Sequence, residues 1–238
     1  MKMNKTCATT KSVRLQGSEV ASISEFSFIV QLRLFSVNRF FCAGSIISNK
    51  HILTAAHCIF QLDNGKTDIW IIAGSQKLSD NEGTSYYVQE MYLHPEFEGL
   101  TIGSQPEHND IAVLAVRGFI IFNQQINKID LPTQDITRGS SVILCGWGAT
   151  SYPPTQFSNV LQKAKVTVVN CQILASEDQI CTFDHEKRAI HGDSGGPVVG
   201  DGKLVGIISY GFPWISDEPD RHSNIFKHLD FINSVINF

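Results

Sequence analysis

Short apolar runs separated by turn residues recur along the chain from about Phe28 onward. Most of them are rich in β-branched side chains and are bounded by Gly, Asn, Asp or Pro, which is typical of strands. Many short strands at close spacing predict an all-β barrel or sandwich and argue against alternating βα units. The runs are Phe28–Leu34, Ser45–Ile47, Asp68–Ile72, Ile111–Leu114, Ser141–Leu144 and Leu204–Ile208.

The hydrophobic period changes near the end of the sequence. Ile225, Leu229, Ile232 and Ile236 recur at helical spacing, which predicts an amphipathic helix over about 224–238. Polar residues around Thr133–Arg138 separate two sets of strands, so we expect the chain to cross there between two halves.

Composition excludes several function classes. A chain of 238 residues with 42% hydrophobic residues is long enough for a large folded core. Its formal net charge of −4 provides no basic field for a nucleic acid or an acidic membrane surface. No apolar run approaches the ~20 residues that span a bilayer. We therefore expect neither a nucleic-acid partner nor a membrane partner.

Cysteine usage bears on the compartment. The six cysteines suit three disulfides in an oxidising environment, and their spacing does not resemble a structural zinc site. The charged start, Met1–Lys5, is followed by polar residues in place of the apolar core of a signal peptide. The prediction of a secreted, extracellular protein thus depends on the cysteines and not on a leader.

Three motifs occur in the order His, Asp, Ser. Each alone has an ordinary explanation: a core histidine, a turn before a strand, or a tight glycine loop. Together they supply a nucleophile, a base and a carboxylate, which an otherwise unreactive serine hydroxyl requires. The motifs are LTAAHC at Leu53–Cys58, HNDIAVL at His108–Leu114 and GDSGGP at Gly192–Pro197.

These motifs and their order resemble the trypsin/chymotrypsin family of serine proteases, over about Leu15 to Phe238. The resemblance implies two packed six-stranded antiparallel Greek-key β-barrels, over about 28–132 and 133–223, followed by the C-terminal amphipathic helix. It also implies a monomeric serine endopeptidase that hydrolyses peptide bonds without a cofactor. Its partners would be protein or peptide substrates, an activating protease and protein inhibitors.

The resemblance also assigns roles to residues around the motifs. Ser194 is the expected nucleophile, His57 the general base and then acid, and Asp110 the carboxylate that orients the imidazole. Backbone N–H groups of Gly192 and Ser194 are expected to form the oxyanion hole. The family's substrate-pairing edge strand is expected at Ser209, Tyr210 and Gly211, with Ser209 near Asp110.

Two disulfides of the family have counterparts here. Cys42–Cys58 resembles the bridge beside the catalytic histidine, and Cys171–Cys181 resembles the bridge beside the specificity pocket. Cys7 and Cys145 match no standard pair. They are left either free or bonded to each other as a tether for the N-terminal peptide.

Activation in this family follows cleavage that frees an apolar N-terminus. The comparison divides the chain into a propeptide-like segment, 1–14, and a peptidase domain, 15–238. Cleavage after Arg14 would free Leu15, whose ammonium would pair with Asp193. The alternative is that Arg14 is simply a solvated cation.

The specificity pocket departs from the family pattern. Arg188 occupies the position at the base of the S1 pocket, and Asp220 occupies a second pocket position that is usually glycine. Either Arg188 is available and selects acidic side chains, or it pairs with Asp220 and fills the pocket. We favour the pair. Ser75 replaces a carboxylate in the loop that binds calcium in some relatives, so we expect no metal.

The altered pocket and activation segment leave a second hypothesis open. The protein would then be a protease-like binding or regulatory protein with little turnover. The complete set of His57, Asp110 and Ser194 favours an enzyme.

Overall fold

The computed structural model of the chain describes residues 18–60, 62, 69–79, 82–99, 108–151, 156–171, 176–185, 189, 192–211 and 218–237. Strands dominate this part of the molecule. In chain order they are β1 Glu19–Val20, β2 Ile29–Leu34, β3 Arg39–Ile46, β4 His51–Thr54, β5 Ile69–Ala73, β6 Thr84–Leu93, β7 Ala112–Val116, β8 Ser141–Gly146, β9 Ala149–Ser151, β10 Gln156–Phe157, β11 Gln162–Val169, β12 Gln179–Phe183, β13 Pro197–Gly200, β14 Lys203–Tyr210 and β15 Asp220–Asn224. The helix α1 spans Leu229–Ile236.

The first barrel is a closed antiparallel ring in the order β2-β3-β4-β7-β6-β5. Its apolar side chains fill the interior, and Leu32, Ile52 and Leu114 are fully buried. Closure leaves no edge strand, so the backbone hydrogen bonds of the ring are made within it. Strand β4 ends within the first of the three motifs, and β7 begins within the second.

The second barrel closes in the order β11-β12-β15-β14-β13-β8, because β8 also pairs with β11. The short strand β1 adds to β11 from outside, and β9 and β10 form a separate hairpin. Two closed six-stranded antiparallel barrels confirm the predicted fold class. The chain leaves the first barrel at Val116 and enters the second at Ser141, so the predicted crossing around Thr133–Arg138 lies in this connection.

The helix is confirmed but begins later than the periodicity indicates. Asn224 ends β15, and its side-chain Oδ1 accepts the N–H of Phe226 at 3.0 Å. A short 3-10 turn over Phe226–His228 then precedes α1. The helix buries Ile232 and Val235.

The hydrophobic core is continuous from the first barrel into the region between the barrels. Trp147, Leu161 and Ile207 of the second half belong to the same buried cluster as the first-barrel residues, and so does Ile232 of α1. A smaller cluster, including Val142 and Val198, fills the second barrel. This packing fixes the barrels against each other and positions the loops that meet between them. None of the described helices has the length and apolar character to cross a membrane.

Candidate active site

His57 lies in a one-turn 3-10 helix, Ala56–Cys58, directly after β4. The disulfide Cys42–Cys58 ties this turn to β3, with the two Cα atoms 6.2 Å apart. The bridge joins residues 16 positions apart in the sequence and so restricts where the imidazole of His57 can lie.

Asp110 precedes β7 and is fully buried. One carboxylate oxygen accepts the backbone N–H of His57 at 2.8 Å, and the other lies 2.7 Å from His57 Nδ1. An ionised carboxylate only accepts, so Nδ1 carries the hydrogen and Nε2 keeps its lone pair for proton transfer. The sequence could indicate both residues, but not this double contact.

The second barrel completes the surroundings of Asp110. The hydroxyl of Ser209 donates to the carboxylate at 2.5 Å, and the hydroxyl of Ser223 donates to the Asp110 carbonyl at 2.7 Å. Burial alone would raise the pKa of Asp110. The charge and hydrogen bonds of His57, together with the Ser209 hydroxyl, outweigh burial and hold that pKa below its ordinary value.

Ser223 was not among the predicted site residues. It is 113 positions from Asp110 in the sequence and has no recognisable motif around it. Only the pairing of β14 with β15, which sets Ile207 opposite Ser223, brings its hydroxyl to the carbonyl of Asp110.

Ser194 lies on a tight turn between two glycines with positive φ, Gly192 at 95° and Gly195 at 77°. The Ser194 carbonyl accepts the N–H of Ala43 at 2.9 Å, which docks the turn against β3 of the first barrel. A Cβ on Gly195 would collide with the side chain of Thr54 and the carbonyl of Ala43. Only glycine permits this approach, which brings the turn to the segment that leads into His57.

Asp193 is buried beside a second glycine turn. Its Oδ1 accepts the N–H of Gly148 at 2.8 Å, and a Cβ on either Gly146 or Gly148 would collide with its carboxylate. The predicted pairing partner, Leu15, and the predicted cleavage site, Arg14, lie outside the described residues.

Asp220 is almost fully buried at the start of β15. Its Oδ2 accepts the N–H of Ala189 at 2.9 Å. A Cβ on Gly211 would lie 2.9 Å from the Ala189 carbonyl oxygen and 3.1 Å from Asp220 Oδ1. The carboxylate therefore lies in the space between Ala189 and Gly211. Arg188, its predicted partner, lies outside the described residues.

The whole of β15 is buried, although its sequence Asp-Arg-His-Ser-Asn is entirely polar. In its middle, His222 Nε2 lies 2.7 Å from the hydroxyl of Thr182. Burial lowers the pKa of His222 from its ordinary value of 6.5 to about 3, so the ring is neutral at physiological pH. The sequence analysis did not identify this residue, although a run of five polar residues beside the pocket was a signal for it.

The structure shows the bonding state of every cysteine except Cys7. The structure contains both the Cys42–Cys58 and the Cys171–Cys181 bridges. Cys145 is a free, buried thiol, and burial raises its pKa well above the ordinary value. Its suggested partner, Cys7, lies outside the described residues. Strand β14 carries Ser209 and the half-exposed Tyr210 at its end, with Gly211 next.

Comparison with known proteins identifies the family. The sequence model of the trypsin family matches residues 15–232, and the chain therefore belongs to the trypsin family of serine proteases. Proteases of this family act on protein substrates and are regulated by inhibitors.

Individual relatives cover most of the chain. Chymotrypsin-2 of Vespa crabro is 32% identical over 224 residues, which are 91% of this chain and 97% of that protein. Trypsin of Sus scrofa is 26% identical over 208 residues, or 82% and 85% of the two chains. The solved structure of neuropsin, a serine protease expressed in the limbic system of mouse brain, has the same fold. Its TM-score is 0.81 at 21% identity, over 92% of this chain and 99% of that one.

Proposed function

We propose that the protein is a serine endopeptidase that hydrolyses peptide bonds through an acyl-enzyme on Ser194. In this proposal His57 removes the proton of the Ser194 hydroxyl and later donates it to the leaving amine. Asp110 holds the imidazole in the required tautomer and stabilises the imidazolium. The observation that carries the proposal is the buried carboxylate of Asp110, which meets His57 at both its backbone N–H and its Nδ1.

The oxyanion of the tetrahedral intermediate would be bound by the backbone N–H groups of Gly192 and Ser194. The positive φ of Gly192 and the docking of the Ser194 turn on Ala43 support this assignment, because they fix the backbone at the nucleophile. Losing one such donor costs about 3 kcal/mol of transition-state stabilisation. The substrate backbone would pair with the edge formed by Ser209, Tyr210 and Gly211.

Activation would follow cleavage after Arg14, which separates the propeptide-like segment 1–14 from the peptidase domain 15–238. The new ammonium of Leu15 would then pair with Asp193. Two features support this role for Asp193: its carboxylate is buried, and it already braces the Gly146–Gly148 turn next to the nucleophile.

For specificity, we propose that the S1 pocket is shallow and partly filled by Asp220, with Arg188 as its partner. The support is the position of the Asp220 carboxylate, between Ala189 and Gly211. Small P1 residues would then be preferred over Lys, Arg or large aromatic residues. The competing specificity, selection of acidic P1 residues by Arg188, requires the same space to be open.

The same observation favours one alternative function. A pocket filled by Asp220 would also suit a protease-like binding or regulatory protein with little turnover. We place the enzyme first because the hydrogen bonds that orient His57 are complete. The disulfides and the secreted relatives support an extracellular protein. We propose that it is a monomer that meets an activating protease and protein inhibitors.

Hydrolysis of a peptide library tests the proposal. The protein is assayed before and after cleavage at Arg14, with Ser194→Ala as the inactive control and Arg14→Gln as the control that cannot be processed. We expect cleavage after small P1 residues, only in processed wild type. Hydrolysis by Ser194→Ala would refute the nucleophile, and equal activity of Arg14→Gln would refute the activation step. Absence of turnover in the processed protein would favour the binding-protein alternative.

A further inference from the structure

The residue before Asp110 has an unusual backbone conformation and its own anchors. Asn109 has a φ of 52°, in the left-handed region that few residues other than glycine adopt. Its N–H donates to Asp178 Oδ2 at 2.8 Å. Its side-chain Oδ1 lies 3.2 Å from His228 Nε2. Both partners belong to the second half of the chain, whereas Asn109 leads into β7 of the first barrel.

His228 is anchored at both ring nitrogens. The ring is almost fully buried, and its Nδ1 lies 2.7 Å from the backbone carbonyl oxygen of Asn224. Its Nε2 lies 3.2 Å from Asn109 Oδ1, with Asp178 Oδ2 at 3.8 Å. The ring therefore lies between the end of β15 and the residue before Asp110.

The amide of Asn109 also has a contact within the first half of the chain. Its Nδ2 donates to the carbonyl oxygen of Glu96 at 3.4 Å. The side chain of Asn109 therefore links that half to His228 in the second half.

Several titratable groups surround His228. The carboxylate of Asp178 faces it from the loop before β12. The ring of His94 lies 5.4 Å away, and burial, followed by the charge interaction with His228, lowers the pKa of His94. The half-exposed His108 lies 3.6 Å from the other oxygen of Asp178. The charged and titratable groups around the ring are Asp178, His94, His108, Glu96 and the neighbouring Lys227–Asp135 pair.

We propose that His228 is a positioning residue for Asp110 and acts through Asn109. This inference rests on the proposed catalytic role of Asp110. Asp178 and His228 hold Asn109 from the second half of the chain, while Ser209 and Ser223 hold Asp110 itself. Removal of the His228 ring would therefore loosen Asn109 and displace the carboxylate that follows it.

Kinetics of the processed enzyme test this role. His228→Phe keeps an aromatic ring against His94 but cannot donate, and His108→Phe is the matched control at the same carboxylate. We expect His228→Phe to lower kcat on the order of tenfold at unchanged KM, because Asp110 is displaced. A raised KM at unchanged kcat, or an equal loss of kcat in His108→Phe, would overturn the proposal.

Two further variants separate positioning from a general packing defect. His228→Gln offers an amide donor to Asn109, so it should recover most of kcat. Asn109→Gly accepts the positive φ but lacks Oδ1. The pair His228→Phe and Asn109→Gly should then lose no more kcat together than either does alone, because both remove the same contact. Additive losses would contradict the shared contact.

Nuclear magnetic resonance of Ser194→Ala protein gives a readout that does not need activity. The resonance of the His57 Nδ1 proton should shift or broaden in His228→Phe and stay in place in His108→Phe. An unchanged His57 proton in His228→Phe would refute the inference even if the processed wild type hydrolyses peptides. If the wild type is inactive, the proposed function fails while these signals still decide the role of His228.

Discussion

Two regions beside the Ser194 turn differ in how their buried polar groups are hydrogen-bonded. In the region of His57 and Asp110, here called the base flank, the carboxylate and carbonyl of Asp110 accept four hydrogen bonds, from His57, Ser209 and Ser223. In the region of β15, here called the pocket flank, five polar residues in succession are buried, Asp220–Asn224. There, Nδ1 of His222 has no hydrogen-bond partner among the described residues.

The two regions differ in the expected cost of burial. A buried carboxylate is tolerated when its acceptors are filled, and the hydrogen bonds around Asp110 also fix the imidazole of His57. The pocket flank carries a cost, because a buried ring nitrogen without a partner loses its hydration. The proposed catalytic base therefore lies in the better satisfied region, and the proposed specificity pocket lies beside the less satisfied one.

The largest expected effect comes from breaking the base flank. Asp110→Asn keeps the shape of the side chain but favours the wrong tautomer of His57, so kcat should fall on the order of 10⁴-fold, as in the template Ser-His-Asp triad. Exposed Asp130→Asn is the matched control and should leave kcat unchanged. Steady-state kinetics with one peptide substrate measures both. A loss below about tenfold in Asp110→Asn would contradict the assigned role.

The next effect concerns the pocket flank and acid stability. The pKa of His222 is about 3 in the folded state and has its ordinary value near 6.5 in the unfolded chain, so only the unfolded state binds this proton between those values. The contribution of His222 to the free energy of unfolding is fully present above about pH 6.5 and is lost as the pH falls toward 3. Between about pH 7 and 4.5 the ring should account for about 3 kcal/mol of lost unfolding free energy.

Urea unfolding at these two pH values tests the effect with His222→Phe. The variant should lose clearly less stability on acidification than the wild type, whatever its stability at neutral pH. His51→Phe, a substitution of a partly exposed histidine in the first barrel, is the comparison. Equal acid sensitivity in wild type and His222→Phe would show that His222 is not buried in its neutral form.

The smallest effect separates the two serines that donate to Asp110, Ser209 on β14 and Ser223 on β15. Ser209 donates to the Asp110 carboxylate and Ser223 donates to its carbonyl. Ser209→Ala should lower kcat roughly tenfold and raise the pKa of Asp110, because a hydrogen bond to the charged form is lost. Ser223→Ala should lower kcat only a few-fold, since the carbonyl carries no full charge. A larger loss of kcat in Ser223→Ala than in Ser209→Ala, measured over the same pH range, would mean that the hydrogen bond to the Asp110 carbonyl matters more than the one to its carboxylate.

Local patterns in the sequence predict much of this structure. The apolar runs coincide within a few residues with β2, β5, β7, β8 and β14, because their alternating or buried patterns are properties of single strands. The HNDIAVL and LTAAHC motifs lie at strand ends that meet between the barrels. The structure accordingly brings His57 and Asp110 into direct contact.

The remaining features depend on contacts between distant parts of the sequence. His228 and Asn109 are 119 positions apart, and Ser209 and Asp110 are 99 apart, so no local period or motif links them. Strand β6 was not predicted, because exposed residues such as Thr84, Ser85 and Glu90 leave it no continuous apolar run. The start of α1 was set too early because Asn224 belongs to β15 and caps the turn that follows.

The central claim, that Ser194 is an activated nucleophile, is tested most directly with a fluorescent serine-directed phosphonate. The protein is treated before and after cleavage at Arg14, and the labelled peptide is identified by mass spectrometry, with Ser194→Ala as control. The account predicts one adduct, on Ser194, formed much faster after cleavage and absent from the variant. Processed protein that stays unlabelled, or carries the label on another residue, would contradict it.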